Sequence, residues 1–358
     1  MLKTMDDHAV GAVVRVMVVD DSAVVRGLVA RELASDPQID VVCTASNGEI
    51  ALTELRRHPI DVVLLDIEMP VMDGLTALGH IRVEHKSVRV IMVSTLTRRN
   101  AEISMKALQL GASDYIAKPE TGLGGAAEFK RDLLSRVKAL APRRAAEPAS
   151  VVAPRLYSPP PRATKSPPRV LAIGASTGGP PALLHVFEDL KGAVSQPILL
   201  TQHMPATFTA LLAEQLGRAG GRPCAEGRDG EPVLPGHCYV APGGWHMTVA
   251  LDGATPVIRL NQEPAENFCR PAVDPMLRSA AQVYGAGVLA VILTGMGADG
   301  AKGCTAVADA GGRFIAQDEA TSVVWGMPGA AAATGRTENV MPINEIGPWL
   351  RRAMEVPA

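Results

Sequence analysis

The sequence predicts an α/β protein built from two doubly wound parallel-sheet domains. One is a (βα)5 module and the other a Rossmann-like domain with an antiparallel insertion. Three observations carry this. Short Val/Ile/Leu runs alternate with Ala/Leu-rich helical patterns, as buried parallel strands and their crossover helices do. Polar and charged residues recur just after those runs, where such sheets bind ligands. A proline-rich stretch separates the two series.

Composition bounds the function. The 358 residues suffice for two ordinary domains, and 47% apolar with 20% charged residues reads as a globular protein. A net charge of −2 argues against a nucleic-acid-binding surface. Aromatics are only 3%, so the cores rely on aliphatic residues and Met. No apolar run approaches the ~20 residues of a membrane span, and the opening MLKTMDDHAV lacks a signal-peptide core. Cys43, Cys224, Cys238, Cys269 and Cys304 are scattered and out of metal-ligand spacing, so they read as reduced thiols. A cytoplasmic protein without membrane insertion is expected.

After a tail over residues 1–14, residues 15–19 (RVMVV) form a strand that ends in Asp20-Asp21-Ser22. A helical pattern runs to about residue 35. Strand 39–43 and helix 48–57 follow. Strand 61–65 (DVVLL) ends in Asp66, strand 89–93 in Ser94-Thr95, and strand 112–117 in Lys118-Pro119. The strand ends thus bring together Asp20, Asp21, Asp66, Ser94 and Lys118. Clustered carboxylates repel unless a cation sits among them, and hard oxygen ligands suit Mg²⁺. A lysine and a hydroxyl opposite suit a phosphoryl group, so the site is equipped to accept one on a carboxylate.

Residues 15–140 resemble a response-regulator receiver domain. The resemblance rests on VDDS at 19–22, LDIEMP at 65–70 with Asp73-Gly74, VST at 93–95, and Lys118-Pro119. It implies that Asp66 is phosphorylated by a histidine kinase. It also implies that Asp21, Asp66 and the backbone carbonyl of Glu68 bind Mg²⁺ with Asp20 in support, and that Ser94 and Lys118 sense the phosphoryl group. Tyr115 is the candidate for the aromatic that receivers often carry in their fifth strand.

Residues 141–168 hold eight prolines and no apolar periodicity, which predicts a semi-extended linker. Arg and Lys outnumber its one Glu.

The second domain, residues 169–358, opens on VLAIGASTGGP at 170–180. This is a strand, a glycine turn holding Ser176, and a helix start to about residue 190. Gly174-x-Ser176-x-Gly178 fits a nucleophile-elbow pattern, although the same turn also suits phosphate. Strand 197–201 ends in Gln202-His203-Met204-Pro205, and a helix runs to about residue 216. Short strands are expected at 222–226, 237–240, 246–251 and 257–260. NFCRPAVD at 267–274 leads into a helix to about residue 284. Strand 288–293 ends in TGMGADG at 294–300, then a helix and strand 313–316 follow.

Ser176, His203 and Asp299 all fall beyond parallel strands, toward one crevice. A serine needs a base to take its proton and a carboxylate to orient that base. His185 lies inside a helix, and His237 and His246 in the hairpin region, which leaves His203. Asp274 is the rival carboxylate. The backbone N–H groups of Thr177 and Met296 are candidates for an oxyanion hole. Arg270 suits a substrate carboxylate, or else a cap or salt bridge. The chain order Ser, His, Asp departs from α/β-hydrolases, so that fold is not expected.

Residues 169–350 resemble the catalytic domain of the chemotaxis protein-glutamate methylesterase (CheB) family. The resemblance is carried by IGASTGGP at 173–180, QHMP at 202–205, APGG at 241–244, RPAVD at 270–274 and LTGMGADG at 293–300. It implies hydrolysis of glutamate methyl esters on chemoreceptors, releasing methanol, and deamidation of receptor glutamines. Both run through a Ser176 acyl-enzyme with no metal or cofactor in the hydrolytic step. The expected control is that the unphosphorylated receiver covers the Ser176 crevice and phosphorylated Asp66 relieves it. Rival readings are a regulated serine esterase or amidase with a non-chemoreceptor substrate and a non-catalytic adaptor. A DNA-binding regulator would need a basic output helix that the sequence lacks.

Overall fold

The structure, a computed structural model, describes residues 13–95, 97–118, 125–141 and 167–355. Pro119, most of the expected tail and almost all of the expected linker lie outside the described residues. The chain divides into two compact units, Met1–Ser150 and Val151–Ala358.

The first unit is a five-stranded sheet in the order β2-β1-β3-β4-β5, with parallel pairing throughout. The strands are β1 (Val14–Val19), β2 (Ile39–Ala45), β3 (Val62–Asp66), β4 (Arg89–Ser94) and β5 (Asp114–Ala117). The helices between and after them are α1 (Ala23–Ala34), α2 (Gly48–Arg57), α3 (Gly74–Glu84), α4 (Arg98–Gln109) and α5 (Gly125–Ala139). Every residue of β3 is buried, as a central strand covered on both faces requires. The helix starts follow local chemistry. Ser22, Asn47, Asp73 and Thr97 each accept a backbone N–H three residues on, which fixes the α1 to α4 starts. Strand order reverses between β1 and β3, so a crevice opens where Asp20 and Asp66 leave the sheet.

The second unit is a seven-stranded sheet in the order β14-β13-β12-β6-β7-β9-β8, parallel at every pairing. Its strands are β6 (Val170–Ala175), β7 (Ile198–Gln202), β8 (Cys224–Glu226), β9 (Cys238–Val240), β12 (Val288–Ile292), β13 (Arg313–Gln317) and β14 (Asn339–Met341). An antiparallel hairpin, β10 (His246–Asp252) with β11 (Thr255–Asn261), is the insertion. It is narrower than the sequence suggested. Of the four short strands expected there, the first two extend the parallel sheet, because a short strand carries no mark of its partner. The helices are α6 (Gly179–Asp189), α7 (Ala206–Gly220), α8 (Val273–Tyr284), α9 (Ala301–Asp309), α10 (Met327–Ala333) and α11 (Ile343–Met354).

The core joins Val170, Leu199, Met276, Leu277 and Phe314 with Val249 and Ile258 of the hairpin. Ser279 of α8 accepts the Val249 N–H at 3.1 Å, tying hairpin to helix. The order reverses between β12 and β6, at the centre of the sheet, and Ser176 follows β6 directly.

Candidate functional sites

Each unit carries a polar cluster at the carboxyl ends of its central strands. In the first unit, one oxygen from each of Asp20, Asp21 and Asp66 lies within 4.8 Å of the others. Asp20 and Asp66 are buried and Asp21 is exposed. Lys118 follows β5, and its Nζ lies 2.8 Å from Asp20 Oδ2 and 2.9 Å from Asp66 Oδ1. Burial pushes the Asp66 carboxyl above the usual range, with Lys118 opposing and Asp20 adding to the rise. One lysine against three carboxylates leaves negative charge on hard oxygens, a donor set that fits Mg²⁺. The Glu68 side chain points elsewhere: it is exposed and pairs with Arg99 at 3.6 Å. Ser94 is buried, with its hydroxyl 3.1 Å from that of Ser104. Tyr115 is buried as well, and burial raises its phenol pKa.

In the second unit, β6 ends in a turn secured on three sides. Ser176 N–H donates to Thr294 O at 3.0 Å, Gly179 N–H to Ser176 O at 2.7 Å, and the Gln202 side chain to Ser176 O at 2.9 Å. Gly178 caps α6 in the left-handed region (φ 75°), where a Cβ would stand 2.6 Å from Val323. Ser176 itself is not among the described residues with left-handed backbone. The strained serine of an α/β-hydrolase elbow is therefore absent, in keeping with the different chain order. Gly295 lies against the serine, since a Cβ there would stand 2.8 Å from Ser176 Cβ. That contact brings the 294–296 backbone, with Met296, beside the turn that holds Thr177.

His203 follows β7, its N–H bonded to Ala175 O at 3.2 Å, and its side chain is 8% exposed. Its Nε2 donates to Asp299 Oδ2 at 2.7 Å. Asp299 is 1% exposed. It also accepts the N–H groups of Val273 (2.6 Å), Asp274 (3.0 Å) and Gly300 (2.9 Å). Two of these are the first N–H groups of α8, so the carboxylate lies at a helix N-terminus. Burial alone would raise its pKa; His203 and those N–H groups bring it below the usual range. The rival Asp274 does different work. Its Oδ1 accepts the N–H of Gly303 in the first turn of α9 at 2.6 Å, and burial together with Asp299 raises its pKa.

The other three histidines of the second unit have different partners. His246 is buried, with Nδ1 accepting from Ala272 N–H and Nε2 donating to Pro264 O, both at 3.2 Å. His237 contacts Pro235 O, and His185 faces Asp189 along α6. Arg270 is exposed, and its Nη1 donates to Gln262 O at 3.0 Å and Glu263 O at 3.1 Å.

One neighbour of His203 escaped the sequence reading. Cys269 Sγ lies 3.3 Å from His203 Nδ1, across 66 residues of chain. Among the described residues, the Ser176 hydroxyl makes no hydrogen bond to His203; the acceptor nitrogen faces the thiol instead. Such contacts often form only with substrate bound. Burial alone would lower the His203 pKa, but its contacts with Cys269 and Asp299 outweigh it and push it up to about 10. All five cysteines are free thiols.

A parallel-sheet phosphoacceptor module followed by an α/β unit with a serine and an imidazole–carboxylate pair defines a response regulator with an enzyme-like output. The CheB methylesterase family model matches residues 171–350, and the response regulator receiver domain model matches residues 16–123. A protein-glutamate methylesterase/protein-glutamine glutaminase of Azospirillum brasilense is 53% identical, over 96% of this chain and 95% of its own length. One of the same description from Rhodospirillum rubrum is 51% identical, over 97% and 96%. The solved CheB methylesterase catalytic domain of Thermotoga maritima is 39% identical with a TM-score of 0.50, covering 52% of this chain and 98% of that domain. The chain belongs to the CheB methylesterase family and carries that family's receiver domain.

Proposed function

We propose that this chain is a phosphorylation-regulated protein-glutamate methylesterase and protein-glutamine glutaminase of chemotaxis. The observation that carries the reading is the convergence of Ser176, the His203–Asp299 pair and the Gly295 backbone at one sheet switch point, in a chain about half identical to enzymes of that name over nearly its whole length. Its domains are a tail over residues 1–14, a receiver over 15–140, a linker over 141–168 and a catalytic domain over 169–358. No helix among the described residues is long and apolar enough to cross a membrane.

Ser176 Oγ attacks the side-chain carbonyl of a methylated glutamate as His203 Nδ1 takes its proton. Asp299 holds the ring through Nε2, so that Nδ1 is the acceptor. Thr177 and Met296 N–H groups receive the oxyanion. The carbon–oxygen bond to the methoxy group breaks and His203 returns the proton, so methanol leaves and Ser176 is acylated. Water, deprotonated by His203, then releases the glutamate carboxylate and restores the Ser176 hydroxyl. With a glutamine side chain the leaving group is ammonia. Arg270 would meet acidic groups of the receptor segment.

Asp66 accepts the phosphoryl group from a histidine kinase. Asp21, Asp66 and the Glu68 carbonyl, with Asp20 in support, would hold Mg²⁺, which would supply positive charge against the phosphoryl oxygens. Lys118 and Ser94 then respond to the phosphorylated carboxylate. Phosphorylation of Asp66 shifts the population of receiver forms, and that shift regulates hydrolysis at Ser176. A shift requires that phosphate distinguish the two forms.

Mass spectrometry of a methylated chemoreceptor fragment tests the substrate class. Loss of one methylene unit at glutamate sites and amide-to-acid conversion at glutamine sites are expected. Unchanged masses from a protein that still phosphorylates on Asp66 would move the reading to an esterase with another substrate.

A further inference from the structure

His203 and Asp299 are held by more than each other. Residues 266–270 form a tight turn in which Glu266 and Cys269 exchange backbone hydrogen bonds of 2.9 and 3.2 Å. Two consecutive non-glycine residues, Asn267 (φ 52°) and Phe268 (φ 63°), are left-handed there. Asparagine visits this region readily and phenylalanine does not. The turn is anchored on both sides. Glu266 pairs with Arg278 of α8, one contact being 2.9 Å, and Arg270 O accepts the Gly244 N–H at 3.1 Å. Although Asn267 is an exposed residue, its amide turns inward. Nδ2 donates to Asp299 Oδ1 at 3.0 Å and to Asp274 Oδ2 at 3.2 Å.

Asp299 thus receives four backbone or side-chain donors besides His203, and only Asn267 comes from a side chain. The same amide bridges two neighbouring buried carboxylates, one facing the imidazole and one capping α9. A neutral donor there separates like charges without adding a charge of its own. We infer that Asn267 is a positioning residue of the hydrolytic site, its amide fixing the rotation of the Asp299 carboxylate so that Oδ2 stays on His203 Nε2. Cys269, two residues on, reaches the opposite nitrogen of the same ring, so one turn touches both members of the pair. The left-handed backbone is what aims both side chains to the same side. The inference rests on the hydrolytic reading given above.

The test uses the full-length protein with two substitutions, Asn267→Gly and Asn267→Asp. Glycine keeps the left-handed backbone and removes only the side chain. If the residue served the turn alone, glycine would be the best-tolerated replacement. Aspartate keeps shape and turn preference but replaces the donor with a carboxylate, and carries the test if glycine loosens the turn. Methanol release is resolved into kcat and KM, and the His203 ring resonances are followed by NMR without substrate. Both variants are expected to lose about 10- to 100-fold in kcat with KM within about twofold, as misplaced supporting groups cause. The His203 Nε2–H resonance should move in both. Either variant keeping kcat within about twofold of wild type, or leaving that resonance in place, would overturn the assignment. Because the resonance is read without substrate, it separates failure of this inference from failure of the methylesterase reading, which wild-type protein reports by itself.

Discussion

Asp299 accepts from His203 Nε2 at 2.7 Å while it also takes the first N–H groups of α8, and Asp274, at the start of α8, in turn takes an N–H of α9. The two carboxylates therefore cap helices in a crossed pair, and only one of them faces an imidazole. Helix capping and the imidazole contact coincide in Asp299, whereas Asp274 caps without facing the imidazole.

This difference predicts unequal effects. Asp299→Asn should lower kcat by about 10³- to 10⁴-fold, because the ring loses the partner that sets its tautomer. It should also lower stability by about 0.5–2 kcal/mol through the weakened start of α8. Asp274→Asn should show a similar stability loss through α9, with a far smaller loss of kcat. Steady-state methanol release and thermal unfolding of the two variants check this, and equal losses of kcat would contradict it.

The pH dependence follows from the groups facing His203, namely Asp299 on Nε2 and Cys269 on Nδ1. The partners that raise the His203 pKa favour the protonated ring, and a protonated imidazole cannot take the serine proton. Activity should therefore rise through an alkaline limb. Cys269→Ser removes the sulfur contact on Nδ1 that helps raise the His203 pKa, so the limb should move to lower pH. Stability runs the other way. A group whose folded pKa is raised contributes stability fully present below its unfolded value of 6.5, lost as pH rises through about 10. The melting temperature should fall across that window, and less so in Asp299→Asn. Initial rates and melts at stepped pH decide both points.

Much of this was legible in the chain. The (βα)5 series was readable because each strand is a short apolar run and each acidic or basic site residue closes one. Ser176 and His203 were readable for the same reason, and Asp299 because the glycine-rich 294–300 stretch follows a buried strand. What pattern could not give was pairing. Strands of three residues such as β8 and β9 look alike whether they join a parallel sheet or a hairpin. The elements α10, β14 and α11 were not anticipated; β14 is three residues long and α11 contains Pro348. Asn267 and Cys269 stood in a quoted motif, yet their contacts depend on a left-handed turn and on β7, far away in sequence.

The receiver site gives a separable prediction. Asp66→Asn should leave basal hydrolysis measurable and remove stimulation by a small-molecule phosphodonor. Chelating Mg²⁺ in the wild type should do the same, since the acidic cluster needs a cation to accept a phosphoryl group. Stimulation that persists in Asp66→Asn would place control elsewhere.

Gly295 offers a steric prediction. A Cβ there would lie 2.4 Å from Met327 Sδ and 2.8 Å from Ser176 Cβ. Gly295→Ala should displace the turn carrying the serine and lower kcat by about 100-fold, the loss associated with a misplacement of about 1 Å. A variant with wild-type kcat would show that the turn has room the packing denies.

The most direct measurement is methanol release from methylated receptor membranes by wild type and Ser176→Ala, each with and without phosphodonor and Mg²⁺. The account predicts release that rises with phosphodonor in the wild type and falls by at least about 10³-fold in Ser176→Ala under both conditions. Undiminished release by Ser176→Ala would contradict the serine's role and, with it, the site built around His203 and Asp299.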